Sequence, residues 1–365
     1  MLAAALHLIA PQPRPVACLN IGIIGTGQVG GALLDQLKRA RPRLREQLHL
    51  DVQVVAVANS RRMWLHQDDV ELNQRRGAQC WRPVHLDELA RYVQLEGHGV
   101  LVDCSASDAV ADQYARWLQA GIHVLTANKR AGAGPLARWQ AITQASQHHH
   151  RCFRYEATVG AGLPVIQTLR DLLDTGDTLH EVTGMLSGSL AWLFNRYDGT
   201  MPFSELVREA RALGYTEPDP RDDLSGMDVA RKLVILAREA GQHLDLADVA
   251  VQSLVPDHLT ALPLDAFLAR LDELDAHLAH RLAAAHREDG VLRHVAHLDA
   301  HGQASVRVQA VPSPHAFAHT RLTDNIVQFT TERYATNPLV IQGPGAGPAV
   351  TAAGIFTDLL RLIRT

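Results

Sequence analysis

Apolar positions in the first part of the chain come in short, nearly unbroken runs. Cys18–Ile24, Val52–Ala58, Gly99–Cys104 and Ile122–Thr126 have the density of strands buried on both faces of a parallel sheet. Between them, Gly31–Lys38 and Ala109–Ala120 carry their apolar residues at helical spacing. Strands alternating with helices predict a doubly wound α/β sheet. Past the His148-His149-His150 run, which reads as a solvated linker, the character changes. Phe153–Val159 reads as another strand, Val165–Leu173 as a helix, and Gly184–Arg196 and Phe203–Leu213 as helical or strand-to-helix segments. Leu224, Val229, Leu233, Leu236 and Ala237 recur near helical spacing with Gly241 as a stop. Leu259–Arg287 is strongly helical, and Val291–Leu298 and Ala304–Val311 alternate like an antiparallel pair turning at Asp299–Gly302. A last helix carries Val350, Ile355, Leu359 and Ile363.

The pattern divides the chain. Residues 1–17 form an N-terminal arm, 18–152 with 336–365 an α/β domain, and 153–335 a second, α+β domain. A length of 365 residues with 47% hydrophobic content suits two domains with sizeable cores. A net charge of −4 gives no basic surface for nucleic acid or an acidic membrane. No run is long enough to span a bilayer, and the apolar start MLAAALHLIA lacks the basic flank of a signal peptide. Cys18, Cys80, Cys104 and Cys152 are widely spaced with no C-x-x-C pair, as expected of reduced thiols in a cytoplasm.

Chemistry enters at the first strand end. Gly25-Thr26-Gly27-Gln28-Val29-Gly30 is G-x-G-x-x-G placed between a strand and a helix, where the glycines allow a tight turn and the helix N-terminus offers N–H groups to a pyrophosphate. The second strand ends in Asn59-Ser60-Arg61-Arg62. An NAD site usually has an acid there for the ribose hydroxyls, so Arg61 points to a 2′-phosphate and to NADP; the other reading is a solvated turn. Ser105 and Lys129 follow the next two strands at the carboxyl edge, where open α/β sheets bind ligands. Gly345, in Gly343-Pro344-Gly345-Ala346-Gly347, either touches the cofactor or packs the terminal helix.

The stretch Gly214–Gly241 concentrates charge. Glu217, Asp219, Asp222, Asp223 and Asp228 crowd a loop and first helical turn, and Lys232 stands i+4 from Asp228 on the same face. Such a face can hold a cationic amine while the ammonium gives a proton to a reacting oxygen. The alternative is a Ser225/Asp228 capping box with an ordinary helical ion pair. The loop Val159–Pro164, with Glu156 nearby, has backbone carbonyls suited to a small hard cation. The histidines at 277, 280, 294, 297 and 301 lack the companions of a metal site.

These motifs converge on one family. Through VANSR, TANK, VGAGLPVI, GMLSGSL, GYTEPDPRDDLSGMDVARK and the terminal GPGAG…VTAAG, the chain resembles homoserine dehydrogenase from about Ile21 onward, and is close to the dehydrogenase half of the bifunctional aspartate kinase–homoserine dehydrogenases. The resemblance implies reversible exchange of a hydride between L-homoserine with NAD(P)+ and L-aspartate 4-semialdehyde with NAD(P)H. It implies Lys232 as proton donor, Lys129 as its helper, and Glu217 and Asp228, supported by Asp223, as holders of the substrate ammonium. It also implies sodium on Glu156 and the carbonyls of Val159, Ala161 and Leu163, cofactor contacts at Thr26 to Val29, Ser105, Lys129, Gly214 and Glu217, and a homodimer built through the middle domain. With no kinase segment and no room for a regulatory ACT domain, feedback by threonine is not expected. Two rivals remain: an acylating enzyme using Cys104 as nucleophile, and a cofactor-binding sensor without turnover.

Overall fold

A computed structural model describes residues 17–66, 81–94 and 98–364. The expected arm up to residue 16, and Cys80, lie outside them. The first domain begins with β1 (Ala17–Ile24), α1 (Gln28–Leu48), β2 (Leu50–Ala58), β3 (Arg62–Leu65) and β4 (Arg82–Pro83). It continues through α2 (Leu86–Gln94), β5 (His98–Asp103), α3 (Asp108–Ala111), α4 (Tyr114–Gln119), β6 (His123–Thr126), α5 (Lys129–Ala133), α6 (Leu136–His148) and β7 (Phe153–Arg154). The strands form one sheet in the order β4-β3-β2-β1-β5-β6-β7, parallel from β2 to β7.

The unbroken apolar runs have a direct cause: both faces of this sheet are covered. Ile21, Ile23, Val52, Val54, Val100 and Val102 meet Leu33, Leu34 and Leu37 of α1 on one face. Ala56, Ala58, Leu101 and Val124 meet Leu89, Val93, Tyr114 and Trp117 on the other.

The second domain holds α7 (Val165–Asp174), β8 (Leu179–Met185), α8 (Gly188–Arg196), α9 (Phe203–Ala212), α10 (Arg221–Leu224), α11 (Met227–Glu239) and β9 (Ala250–Val251). After α12 (Asp257–Thr260), α13 (Leu264–Leu268) and α14 (Asp275–Arg287) come β10 (Gly290–Asp299), β11 (Ala304–Pro312), β12 (Asp324–Thr331) and β13 (Leu339–Pro344). Its sheet runs β13-β12-β8-β10-β11-β9, antiparallel except between β11 and β9. The final α15 (Pro348–Arg364) returns to the first domain and packs on α1 through Ala352, Ile355 and Leu359. No helix among the described residues is long and apolar enough to cross a membrane.

Several elements differ from the sequence reading, each for a local reason. The expected strand Phe153–Val159 stops at Arg154, where the chain turns into a 3-10 segment at Glu156–Thr158 whose acid caps α7. The expected helix Ala109–Ala120 breaks between α3 and α4, because Gln113 N–H closes a tighter turn onto the Val110 carbonyl. Leu259–Arg287 is three helices and a 3-10 turn, since Pro263 has no N–H with which to continue a helix. The return to the first domain comes at α15 and not at residue 336, because β13 pairs with β12 in the second sheet.

Candidate active site

Parallel strands aim their carboxyl ends at one edge, and that edge collects the nucleotide motifs. Gly25 leaves β1 with φ 90°, and a Cβ there would lie 2.8 Å from the Cys104 carbonyl carbon and the Ser105 nitrogen. Gly30 is as tightly placed, its Cβ position lying 2.0 Å from the Gly25 oxygen, whereas Gly27 faces open space at the start of α1. The turn through Gly25, Thr26, Gly27, Gln28, Val29 and Gly30 thus packs backbone on backbone at Gly25 and Gly30 and leaves Gly27 open at a helix N-terminus, the geometry that suits a pyrophosphate. Arg61 sits exposed at the tip of the β2–β3 hairpin, where the Asn59 side chain accepts hydrogen bonds from Arg61 and Arg62 N–H. Ser105 follows β5 and Lys129 opens α5 after β6. Gly345 is buried against the Asn325 side chain, which occupies the place a Cβ would take.

Across this edge lies the N-terminus of α11. Gly226, with φ 73°, precedes it, and Ser225 accepts from Met227 N–H without pairing with Asp228, so the capping box is not formed. Asp228 is instead a bridge between two lysines. Its Oδ2 lies 2.9 Å from Lys232 Nζ and its Oδ1 3.1 Å from Lys129 Nζ. The i, i+4 spacing delivers Lys232, as the sequence indicated, but Lys129 arrives from another domain 99 positions earlier in the chain. Lys232 also donates to the Leu186 carbonyl at 2.6 Å, at the end of β8.

Burial and charge set the protonation of this group. Lys232 is 8% exposed, and burial, opposed by Asp228 and reinforced by the positive Lys129, lowers its ammonium pKa. Burial would raise the Asp228 carboxyl, but the two ammoniums outweigh it and hold the acid well below the usual carboxylate range. The result is a poised cationic donor beside a permanent anion.

Asp223 serves the same cleft from α10. It accepts Ser189 Oγ at 2.6 Å and Glu217 N–H at 2.8 Å, and burial raises its pKa. Ser187, which caps α8, stands 2.9 Å from Ser189 Oγ, so the GMLSGSL segment joins the site through its two serines. Sequence reasoning placed neither serine in the site; a hydroxyl-rich turn between strand and helix was the available signal. Gly214, with φ 74°, closes α9 as its N–H bonds Arg211 and the Tyr215 N–H reaches back to Ala210. Glu217 follows it, exposed, with its carboxylate free of partners among the described residues.

The oxygen-rich loop lies behind α15. Glu156 is 3% exposed; its oxygens accept Ile166 N–H at 2.8 Å, Gln167 N–H at 3.0 Å and Arg361 Nη1 at 2.9 Å. The Leu163 carbonyl accepts Val165 N–H, and Ala161, left-handed at φ 55°, turns its carbonyl toward Gly354. Carbonyls of Val159, Ala161 and Leu163 with a carboxylate are the hard donors a small cation takes, each with acceptor capacity remaining. Arg361 already balances the Glu156 charge, so the loop keeps its shape through the protein's own contacts.

Two alternative sites fail on chemistry. Burial and the Asp103 charge push the Cys104 thiol well above its usual range, the reverse of what a nucleophile needs. A cavity of about 640 Å3 opens between α6, β7 and the far end of α11. Three of its arginines are engaged internally: Arg170 with Glu239 at 2.5 Å, Arg238 with Asp245 at 2.8 Å, and Arg151 with the Gly121 carbonyl at 2.7 Å.

An α/β domain with a glycine turn at its carboxyl edge, facing an acid-bridged lysine pair, has the architecture of a dinucleotide-binding protein. Residues 164–360 match the family model for homoserine dehydrogenase and residues 25–156 that for the homoserine dehydrogenase NAD-binding domain. A Schizosaccharomyces pombe homoserine dehydrogenase is 38% identical over 94% of this chain and 95% of its own. A chloroplastic bifunctional aspartokinase/homoserine dehydrogenase of Zea mays is 44% identical over 94% of this chain, which spans 38% of that relative's length. The crystal structure of a Candida auris protein of unknown function is similar with a TM-score of 0.88 and 39% identity, covering 95% of this chain and 98% of that one. The chain belongs to the homoserine dehydrogenase family.

Proposed function

We propose that the protein interconverts L-homoserine and L-aspartate 4-semialdehyde. The observation that carries the reading is the Lys129–Asp228–Lys232 bridge at the edge where the nucleotide loop ends. Bound nicotinamide supplies or accepts the hydride. Lys232 Nζ, its pKa lowered by burial, gives its proton to the aldehyde oxygen as the carbonyl carbon receives the hydride, and takes the hydroxyl proton in reverse. Asp228 holds Lys232 and Lys129 at hydrogen-bond distance, so Lys129 assists beside the nicotinamide. Glu217, whose carboxylate has no partner among the described residues, receives the substrate ammonium together with Asp228, while Asp223 fixes the Glu217 backbone.

The finer readings are ours too. Arg61 selects the 2′-phosphate and hence NADP over NAD, and cofactor contacts run through Gly25 to Gly30, Ser105, Lys129, Gly214, Glu217 and Gly345. Glu156, Val159, Ala161 and Leu163 hold sodium. The chain works in the cytoplasm as a homodimer joined through its second domain, a state that light scattering on the purified protein measures.

The test is homoserine-dependent NADP+ reduction at 340 nm, wild type beside Lys232→Ala. Turnover lost in the variant supports the assignment. Protein that binds NADPH but gives no turnover with either cofactor would return the sensor reading.

A further inference from the structure

We propose that Asp103 is a positioning residue for this reaction: one buried carboxylate locks the Ser105 loop, on the cofactor side, to the Asn128 turn that carries Lys129. The proposal rests on the dehydrogenase reading above.

Asp103 ends β5, is 1% exposed, and makes no ion pair among the described residues. Its Oδ1 accepts Ser105 N–H at 2.7 Å. Its Oδ2 accepts the Tyr114 hydroxyl at 2.5 Å and Asn128 Nδ2 at 2.9 Å. Three donors from three elements therefore converge on two oxygens. A carboxylate accepts on both atoms, whereas an amide accepts on one only, so the site calls for an acid and not its neutral isostere.

Each arm of this hub leads to the chemistry. On one side, Ser105 Oγ accepts Ser107 N–H at 3.2 Å and Ser107 Oγ caps α3 through Val110 N–H at 3.3 Å, so the loop after β5 is fixed from its first residue. On the other, Asn128 is 2% exposed and fully committed: Nδ2 also donates to the Ser107 carbonyl at 2.9 Å, and Oδ1 accepts Arg130 N–H at 3.0 Å. Its own N–H donates to Thr126 Oγ1 at 2.8 Å, which in turn donates to the Asp103 carbonyl at 3.1 Å. Lys129 is the residue between Asn128 and Arg130, and its ammonium rests on Asp228 in the other domain. A shift at Asn128 is passed to Lys129 across one peptide bond.

The energetics favour a positional role. An unpaired charge in the interior is costly and persists only where hydrogen bonds compensate it. Neutral side chains would pack this region at lower cost. What they would not supply is a rigid tie between two adjacent strand ends, of the kind that keeps reacting groups in register.

The test uses the whole protein and three measurements: NADPH affinity by fluorescence, steady-state KM and kcat, and thermal melting. Asp103→Asn turns one oxygen into a donor facing the Asn128 amide and the Tyr114 hydroxyl. We expect NADPH to bind about tenfold more weakly and kcat to fall about tenfold, with melting still cooperative. Adding Asn128→Asp restores a donor–acceptor pair with the roles exchanged, and the carboxylate introduced at 128 still caps α5. The double variant is expected to recover part of both losses, because the Ser107 carbonyl, which Asn128 Nδ2 serves in the wild type, loses its donor. Asp103→Asn with unchanged NADPH affinity and kcat would overturn the proposal, as would a loss confined to the melting temperature or a swap that rescues nothing. Wild type that binds NADPH without turning over homoserine counts against the reaction assigned above, and the NADPH-affinity arm then tests Asp103 alone.

Discussion

Replacing Asp228 by Asn tests the electrostatic core of the site while keeping its shape. The carboxylate lies 2.9 Å and 3.1 Å from the two ammoniums. At an effective dielectric constant of about 20, attraction at 2.9 Å amounts to about 6 kcal/mol before desolvation. The Asp228 side chain is 40% exposed, so water screens much of this, and a net loss of roughly 1.5–2 kcal/mol is the reasonable figure. That corresponds to a fall of about one pKa unit or slightly more for Lys232. The sign follows from the charges: Asp228 raises the Lys232 pKa against burial and Lys129, so its removal lowers it further. In the reducing direction Lys232 must be protonated, and the rate falls as pH rises through its pKa. The kcat profile for NADPH-dependent reduction of the semialdehyde should therefore begin its alkaline fall about one pH unit lower in Asp228→Asn. The profile for homoserine oxidation, which needs the neutral amine, should gain activity on its acid side by the same displacement. Unchanged limbs in both directions, in a variant that still turns over, would refute the assignment of Lys232 as the titrating donor.

Other consequences are as direct. Arg61→Ala should raise KM for NADP+ about tenfold and leave KM for NAD+ nearly unchanged, measured with homoserine saturating, because only the 2′-phosphate distinguishes the two. Gly25→Ala should weaken NADPH binding and lower the melting temperature together, by about 1–3 kcal/mol in stability, because its Cβ would meet backbone at 2.8 Å in a left-handed conformation. Ser189→Ala removes a donor from the buried Asp223 and should raise KM for homoserine by several-fold, about 1 kcal/mol, with NADPH affinity unaffected.

Much of this site was legible in the chain because it is local. The glycine loop needs only a strand, a turn and a helix start within a dozen residues, and Asp228 with Lys232 needs one helical turn. The doubly wound sheet was legible for the same reason, since burial on both faces leaves unbroken apolar runs at β1, β2, β5 and β6. Less legible were β12, whose buried residues include the polar Asn325 and are interrupted at Gln328, and β13, which has no fully buried residue; the partners of both are set by the second sheet.

The sequence by itself determined residue types and short-range geometry: a nucleotide turn, an arginine where an acid is usual, and an acid and an amine on one helix face. Only the tertiary structure decided that Asp228 answers two lysines, that Asp223 holds Ser189 and the Glu217 backbone, and that Asp103 gathers donors from Ser105, Tyr114 and Asn128. The physical reason is the range of the interaction. A helical turn is fixed by neighbours in the chain, whereas an ion pair between α5 and α11 exists only once the hydrophobic core that both helices share has brought them together.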